Sequence, residues 1–196
     1  MEPEPLRPSA RRDELLDAAY RYVLEHGLAG MSLRPLAAAI GSSPRVLLFL
    51  FGSKDGLIRA LLARARADEL ALVESARPHA GDEDLAATVR ATWAWLIGPG
   101  HQRLLTLWLE AYSRSLAEPG GPWADFARQT VDDWLAILAD AQDSRTRRTN
   151  AGRAERTLAL AALRGAVLDL LATGDVERTT AALDRLLDLL ESGHTT

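Results

Sequence analysis

The sequence predicts an all-α protein, in which an N-terminal three-helix domain with a helix-turn-helix precedes a C-terminal helical domain. Two observations support this fold class. Apolar residues recur at helical spacing along almost the whole chain, and no stretch alternates between apolar and polar residues for long enough to form a strand. Short clusters of Gly, Pro, Ser and Asp divide the chain into segments of helical length.

These clusters of helix-breaking residues divide the chain into nine predicted helices. Gly27 is typical of a helix C-cap, Ser32 and Ser53 are candidate N-caps, and Pro44 suits the first turn of a helix. The predicted helices cover residues 13–26, 33–40, 44–51, 54–77, 83–97, 101–117, 122–140, 152–172 and 176–191.

The composition is typical of a soluble globular protein and excludes several functional classes. The chain has 196 residues, of which 47% are hydrophobic and 26% are charged, and it has no cysteine. Disulfides, thiolate catalysis and cysteine-ligated zinc are therefore excluded. No apolar run approaches the roughly 20 residues of a membrane span, and the N-terminus is rich in proline and acidic residues instead of resembling a signal sequence. We expect a cytoplasmic protein.

Charge divides the chain into two parts. Residues 6–54 hold seven basic and four acidic side chains, a net charge of +3, whereas the segment from residue 58 onward holds 16 basic and 20 acidic ones, a net charge of −4. A basic N-terminal part joined to an acidic one suits a module that binds nucleic acid. We predict two domains, residues 1–53 and 54–196, with residues 1–10 as a disordered tail.

The predicted helices 33–40 and 44–51 form a candidate helix-turn-helix. Ala37 precedes Gly41 by four residues, and its small side chain lets the two helices cross closely. Gly41 can adopt the left-handed conformation that a tight turn needs. Pro44 and its neighbours at the start of the second helix would lie nearest the base edges of DNA. Such a helical hairpin also occurs in ordinary bundles, so the motif alone does not identify a DNA-binding protein.

A set of residues between Arg12 and Leu57 makes the motif specific. They are Leu15-Leu16-Asp17-Ala18-Ala19, Glu25, Gly27, Ser32-Leu33-Arg34, Leu36-Ala37, Gly41, Ser43-Pro44, Leu47, Phe51 and Ser53-Lys54-Asp55-Gly56-Leu57. At this spacing the segment, about a quarter of the chain, resembles the DNA-binding domain of the TetR family without a gap. The resemblance implies a dimeric repressor of double-stranded operator DNA whose C-terminal domain binds a small-molecule effector.

The resemblance also implies roles for residues at matching positions. Ser32 and Lys54 would contact phosphates, and the positive end of the helix that Lys54 begins would assist it. Arg34, Ser43 and Arg45 would face the major groove, with Arg45 as the candidate for a guanine contact. Lys54 is the only lysine in the chain. The alternative for it is an ordinary solvated surface side chain.

The middle of the second helix departs from the family pattern. The family usually has Tyr at the position of Leu48 and polar or aromatic residues at the next two, where this chain has Phe49 and Leu50. Leu48 cannot donate the phosphate hydrogen bond that a tyrosine supplies. Three explanations remain open. Leu48 or Phe49 packs on thymine methyl groups; the helix is tilted or partly buried against its own domain; or the protein binds DNA weakly, or only with a ligand present.

The C-terminal part carries no catalytic or metal-binding pattern. Its histidines, His79, His101 and His194, are far apart in sequence, and neither a phosphate-binding loop nor a nucleophile elbow is present. Carboxylates at helical spacing, and the arginine-rich segment 144–153, suit solvated surfaces. We therefore expect a protein that is not an enzyme and needs no cofactor or metal.

Aromatic residues are concentrated in the middle of the chain, where all five tryptophans lie. Filling of the core is the simpler interpretation, and we adopt it for Trp93 and Trp134. The resemblance implies a ligand cavity, and apolar-aromatic walls are typical of such sites. The candidate pocket residues are Trp95, Trp108, Tyr112 and Trp123.

The last two predicted helices carry apolar residues at heptad-like spacing, with small residues between them. Such a seam either completes the core of one chain or packs against a second copy, and the resemblance implies a homodimer. The candidate interface residues are Leu160, Leu163, Val167, Leu170, Val176, Leu183, Leu187 and Leu190.

The sequence thus predicts a ligand-responsive transcriptional regulator, most simply a repressor that binds a palindromic operator as a dimer, with no membrane partner. Two other classes stay open. One is a helical dimer of the same shape that has lost DNA binding and acts as a ligand-binding or interaction protein. The other is an enzyme with an aromatic pocket, which lacks a recognisable acid-base or metal set.

Overall fold

The computed structural model describes residues 8–28, 30–76, 84–98 and 100–192. None of these residues forms a strand, so the predicted all-α class is confirmed. The helices are α1 (Pro8–His26), α2 (Leu33–Ala39), α3 (Pro44–Phe51), α4 (Lys54–Ala76), α5 (Leu85–Leu96), α6 (Gln102–Ala117), α7 (Phe126–Asp140), α8 (Asn150–Thr173) and α9 (Val176–Ser192), with a 3₁₀ turn at Thr146–Arg148 before α8.

The helices lie close to their predicted positions, with two differences at N-termini. Helix α1 begins at Pro8, so residues 8–10 of the predicted tail are helical, and residues 1–7 lie outside the described part. Helix α7 begins at Phe126 instead of residue 122. Asp125 adopts a positive φ of 65°, which interrupts a right-handed helix there.

The connection before α8 is more ordered than the sequence suggests. Gln142 is buried; its Nε2 donates to the carbonyl oxygen of Gly152 at 3.0 Å, and its Oε1 accepts from Arg156 at 2.9 Å. The Thr149 hydroxyl accepts from the Gly152 amide at 2.9 Å and so caps α8. A β carbon at Gly152 would collide with the backbone of Thr146. The arginine-rich segment is therefore a packed turn and not an open linker.

The chain divides into two compact units. The first comprises the residues up to Glu69 together with Thr106–Ala127, and the second comprises Leu70–Leu105 together with the residues from Arg128 onward. In the first unit, α6 shares one hydrophobic core with α1 to α4, to which it contributes Leu107 and Ala111. The functional boundary between residues 53 and 54 stays a prediction, because compactness and function need not divide a chain at the same point.

Among the described helices, none is long and apolar enough to cross a membrane by itself. Helices α2 and α3 satisfy these criteria of length and hydrophobicity only when they are taken together, and the chain bends by 102° between them.

Candidate nucleic-acid interface

Helices α2 and α3 have the geometry of a helix-turn-helix. Their bend of 102° lies within the roughly 90–120° that is typical of the motif. Gly41 adopts the left-handed conformation at the turn, with φ of 65°, and the amide of Ser42 donates to the carbonyl of Ala37 at 2.8 Å. The side chain of Ala37 is buried. The structural roles predicted for Ala37 and Gly41 agree with this geometry.

The two ends of α3 are fixed by the residues that flank it. The Ser43 hydroxyl accepts a hydrogen bond from the Val46 amide at 3.2 Å, and Pro44 occupies the first turn. Gly52 ends the helix with φ of 77°. On the inner face, Leu47 and Phe51 are buried in the core of the first unit. The helix is therefore held from one side only.

The outer face of α3 is apolar apart from its first turn. Arg45 and Val46 are exposed, Leu48 is 41% exposed, and Phe49 is 82% exposed. Phe49 is therefore not covered by its own domain, whereas Leu48 is about half covered and Leu50 packs partly against the core, so a tilted or partly buried helix stays a prediction. Arg45 and Phe49 are four residues apart, so their side chains share one face of the helix.

Polar residues that are predicted to bind phosphate or the groove are exposed as well. Ser32 occupies the N-cap position of α2, but its side chain makes no capping hydrogen bond. Arg34 is exposed in the first turn of that helix, and Lys54 is exposed at the first residue of α4. The Ser53 hydroxyl caps α4 by accepting from the Gly56 amide at 2.9 Å. DNA-binding roles for these residues stay predictions.

Helices α1 and α4 are joined by a polar cluster behind the motif. Arg64 of α4 lies 3.2 Å from the carboxylate of Asp17 and 3.1 Å from that of Asp68, and its guanidinium stacks over the ring of Tyr20. Burial raises the pKa of the Tyr20 phenol well above its usual value, and the Asp68 carboxylate raises it further. The cluster therefore forms contacts between α4 and α1.

A second link, between α6 and the end of α1, was not predicted from the sequence. Glu110 accepts a hydrogen bond from the backbone amide of Leu28 at 2.9 Å, across 82 positions of sequence. Its other carboxylate oxygen lies 3.7 Å from Arg114, whose guanidinium lies over the ring of Trp123. An acidic residue on a helix carries no sequence signal for such a role, because its acceptor function depends on a loop that is distant along the chain.

The four candidate pocket residues occupy both units. In the first unit, the rings of Trp108 and Tyr112 lie 5.0 Å apart, and Trp123 is buried in the same hydrophobic core. The indole Nε1 of Trp108 is buried without an acceptor among the described residues. In the second unit, Trp95 stacks on His101 at 4.0 Å. Two clefts, of about 290 and 630 Å³, are lined by other side chains, and the effector pocket stays a prediction.

The predicted dimer seam needs correction, because most of it belongs to the core of the chain itself. Five of its side chains are at most 5% exposed and form the hydrophobic core of the second unit, namely Leu160, Leu163, Val167, Leu183 and Leu187. Leu170 and Leu190 pack partly against that core, and only Val176 is well exposed. A side chain covered by its own chain has no surface left for a second copy. Heptad spacing in these helices therefore reports packing within the chain.

A different face of α8 is exposed and apolar. It consists of Ala154, Leu158, Ala161, Gly165, Leu168 and Ala172. These residues follow one another at intervals of four and three, and Leu158 and Leu168 are 45% and 46% exposed. A β carbon added at Gly165 would meet no atom within 4 Å. We call this set the outer face of α8.

Comparison with known proteins identifies relatives of the chain. The family described as bacterial regulatory proteins of the tetR family matches residues 15–61. BetI of Burkholderia thailandensis, an HTH-type transcriptional regulator, is 32% identical over 114 residues, which cover 56% of this chain and 56% of BetI. The chain thus matches only about half the length of BetI.

Two longer matches extend over most of the chain. AcnR of Corynebacterium efficiens, an HTH-type transcriptional repressor, is 28% identical over 189 residues, which cover 95% of this chain and 93% of AcnR. A crystal structure of the multidrug binding protein EbrR complexed with proflavin is similar, with a TM-score of 0.63 and 29% identity, over 90% of this chain and 99% of EbrR. The family match covers α2 and α3, and the structural match includes the C-terminal helices.

Proposed function

Because the chain belongs to the TetR family of bacterial regulatory proteins, we propose that it is a ligand-responsive transcriptional repressor that binds palindromic operator DNA as a dimer. The observation that carries the proposal is the geometry of α3. This helix is fixed on its inner face, bends at 102° from α2, and presents Arg45 on its outer face. A helix presented in this way can enter a major groove.

The residues around α3 divide into two roles. Arg45 and Arg34 contact base edges, with Arg45 donating to a guanine. Ser32 and Lys54 contact phosphates: the Ser32 hydroxyl makes no capping hydrogen bond, and Lys54 lies at a helix N-terminus, where a phosphate is stabilised. The Ser43 oxygen already accepts from the backbone, and its hydroxyl proton is left to donate to DNA.

Dimerisation follows from the size of the DNA contact, since one short helix contacts too few bases for tight and specific binding. Two copies related by a two-fold axis would hold their recognition helices about one DNA turn, roughly 34–36 Å, apart. We assign the contact between copies to the outer face of α8, on which Leu158 and Leu168 are exposed.

Effector binding is assigned to the aromatic residues of α6. The buried Nε1 of Trp108 lacks an acceptor among the described residues, and a buried unpaired donor costs free energy that a bound acceptor would recover. Tyr112 extends the same aromatic surface. EbrR, which is 29% identical, was crystallised with proflavin, and this supports a small aromatic molecule as the class of effector.

The links behind α3 suggest how an effector would release DNA. Arg64 couples α4 to α1, and Glu110 couples α6 to the amide of Leu28 at the end of α1. A molecule that binds better to one arrangement of α6 would shift both links and change the spacing of the recognition helices. Its effect is limited by its difference in affinity for the two arrangements. In this proposal the protein acts in the cytoplasm and catalyses no reaction.

Selection of DNA from a random-sequence pool by the full-length protein tests the proposal. We expect enrichment of two-fold symmetric sequences whose half-sites are about one helical turn apart. The same selection with Arg45→Ala is expected to lose sequence preference at one position of each half-site. If the purified protein retains no duplex at low salt, operator binding is refuted, and a helical dimer without DNA binding becomes the better account.

A further inference from the structure

We propose that α3 recognises thymine by apolar contact, with Phe49 as the side chain that packs on the 5-methyl group and Leu48 as its neighbour. The inference rests on the operator binding proposed above and specifies what this helix reads. Among the exposed large hydrophobic side chains of the described residues, Phe49 has the highest exposed fraction, 82%. Such an exposed aromatic ring at a helix surface is costly in water, and a bound partner would cover it.

Hydrogen bonding can supply only a small part of the readout. The sequence of α3 is Pro-Arg-Val-Leu-Leu-Phe-Leu-Phe, so Arg45 is its only side chain with a hydrogen-bonding group. The preceding Ser43 uses its oxygen as the cap of the helix. Base positions that Arg45, Arg34 and Ser43 do not reach must therefore be read by shape or by apolar contact. In the major groove, the thymine methyl is the apolar group that an unmodified base edge presents.

The spacing along α3 predicts where the thymine lies. Phe49 follows Arg45 by four residues on the same face, which is about 6 Å along the helix axis. Successive base pairs are about 3.4 Å apart. The half-site is therefore expected to contain a guanine for Arg45 and a thymine about two base-pair steps from it.

Charge favours DNA over a protein or membrane as the partner of this face. Arg45 lies on the face itself, and Lys54 follows α3 at the N-terminus of α4; both are exposed. No acidic residue occurs between Glu25 and Asp55, so the motif carries no charge that would repel phosphate. An apolar surface bordered by cations and helix N-termini is complementary to methyl groups flanked by a phosphate backbone.

Replacement of single thymines by 2′-deoxyuridine tests the inference, since it removes the methyl group and leaves base pairing intact. The probe is the duplex that the full-length protein selects from random sequence. We expect the dissociation constant to rise about fourfold for each contacted methyl that is removed, at one or two defined positions per half-site. Replacement at other thymines is expected to have no effect.

Two variants separate the thymine contact from general DNA binding. Phe49→Ala is expected to bind the thymine and deoxyuridine duplexes equally, whereas Arg45→Ala binds both more weakly but keeps the ratio between them. Thermal unfolding of Phe49→Ala should match that of the parent, because the side chain is exposed.

The outcomes distinguish this inference from the function on which it rests. Sequence-specific binding by the parent protein with equal affinity for both duplexes overturns thymine recognition and leaves the repressor proposal standing. An unchanged ratio in Phe49→Ala also overturns it, since another residue would then contact the methyl group. Failure to bind any duplex at low salt overturns both proposals.

Discussion

On α3 the exposed apolar side chains are large and project from the helix, whereas on the outer face of α8 leucines alternate with alanines and a glycine. The face of α3 begins at Arg45, and the six residues of the outer face of α8 include no charged residue. Large projecting groups next to a cation suit a groove lined by bases and phosphates. A flat and uncharged row of small residues lets a second helix approach closely. Where several exposed apolar side chains share one face, their size and the charge beside them indicate which kind of partner would fit.

The largest expected effect comes from a charge on the outer face of α8. Leu168→Glu would place a carboxylate at the proposed contact between copies, and we expect the dimer to dissociate and operator binding to weaken by at least about 100-fold, since the second half-site contact is lost. Sedimentation velocity and fluorescence anisotropy with an operator duplex measure the two quantities.

Leu116→Glu is the matched control for that variant. Leu116 is an exposed leucine of α6 and lies outside both faces. A dimer that survives Leu168→Glu, or that dissociates equally in Leu116→Glu, would show that α8 does not hold the two copies together.

The second-largest expected effect comes from Arg45, the charged residue on the outer face of α3. Arg45→Ala is expected to cost about 1–3 kcal/mol of operator binding and to relax specificity at one base pair. Arg128→Ala, at an exposed arginine of α7, should leave the affinity unchanged. Affinities measured against all single-base variants of the operator provide the test, and an unaltered specificity profile would remove Arg45 from the reading surface.

Variants of Glu110 test whether the hydrogen bond between α6 and the backbone of Leu28 stabilises the protein. Glu110→Ala leaves the partly buried amide of Leu28 without its acceptor, and we expect the free energy of unfolding to fall by about 1–3 kcal/mol. Glu110→Gln keeps an acceptor oxygen, so it should recover most of that loss. Urea unfolding measures both variants, and equal stability of Glu110→Ala and the parent would mean that the hydrogen bond contributes nothing.

Gly165→Ala is expected to have the smallest effect. It tests whether the outer face of α8 packs closely against a second copy. A β carbon there meets no other side chain of the described residues within 4 Å, so the substitution should stabilise α8 by up to about 1 kcal/mol through helix propensity. In a dimer that is closely packed at this point, the same methyl group should weaken association. Higher thermal stability of the monomer together with a higher dimer dissociation constant is the expected pair of results. Tighter association would contradict close packing at Gly165.

Local signals in the sequence predict most of the fold. Gly27 and Gly41 have positive φ at the helix end and the turn that they were expected to form, and Ser53 caps its helix as predicted, whereas Ser32 makes no capping hydrogen bond. These features depend on backbone chemistry within a few residues. The family match likewise rests on one continuous segment of the sequence, residues 15–61.

The surfaces were harder to predict, because periodicity shows that one side of a helix is apolar without showing what covers it. Leu160 and Leu163 follow the spacing expected of a dimer seam, yet they pack inside their own chain. The sequence shows small residues around Gly165, but it does not show that Gly165 and Ala161 lie on an exposed face of α8. The role of Glu110 depends on a residue 82 positions away, which no local pattern can reveal.

The shared core of the first unit also constrains how the protein is made. Leu57 and Leu61 of α4 and Leu107 and Ala111 of α6 lie in the same core as α1 to α3. A nascent chain that has left the ribosome only as far as α3 lacks these side chains, so its DNA-reading helices cannot yet hold their final arrangement. Emergence of α6 supplies both the missing core and the acceptor for Leu28. Competence to find an operator is thus expected only after more than half of the chain has been translated.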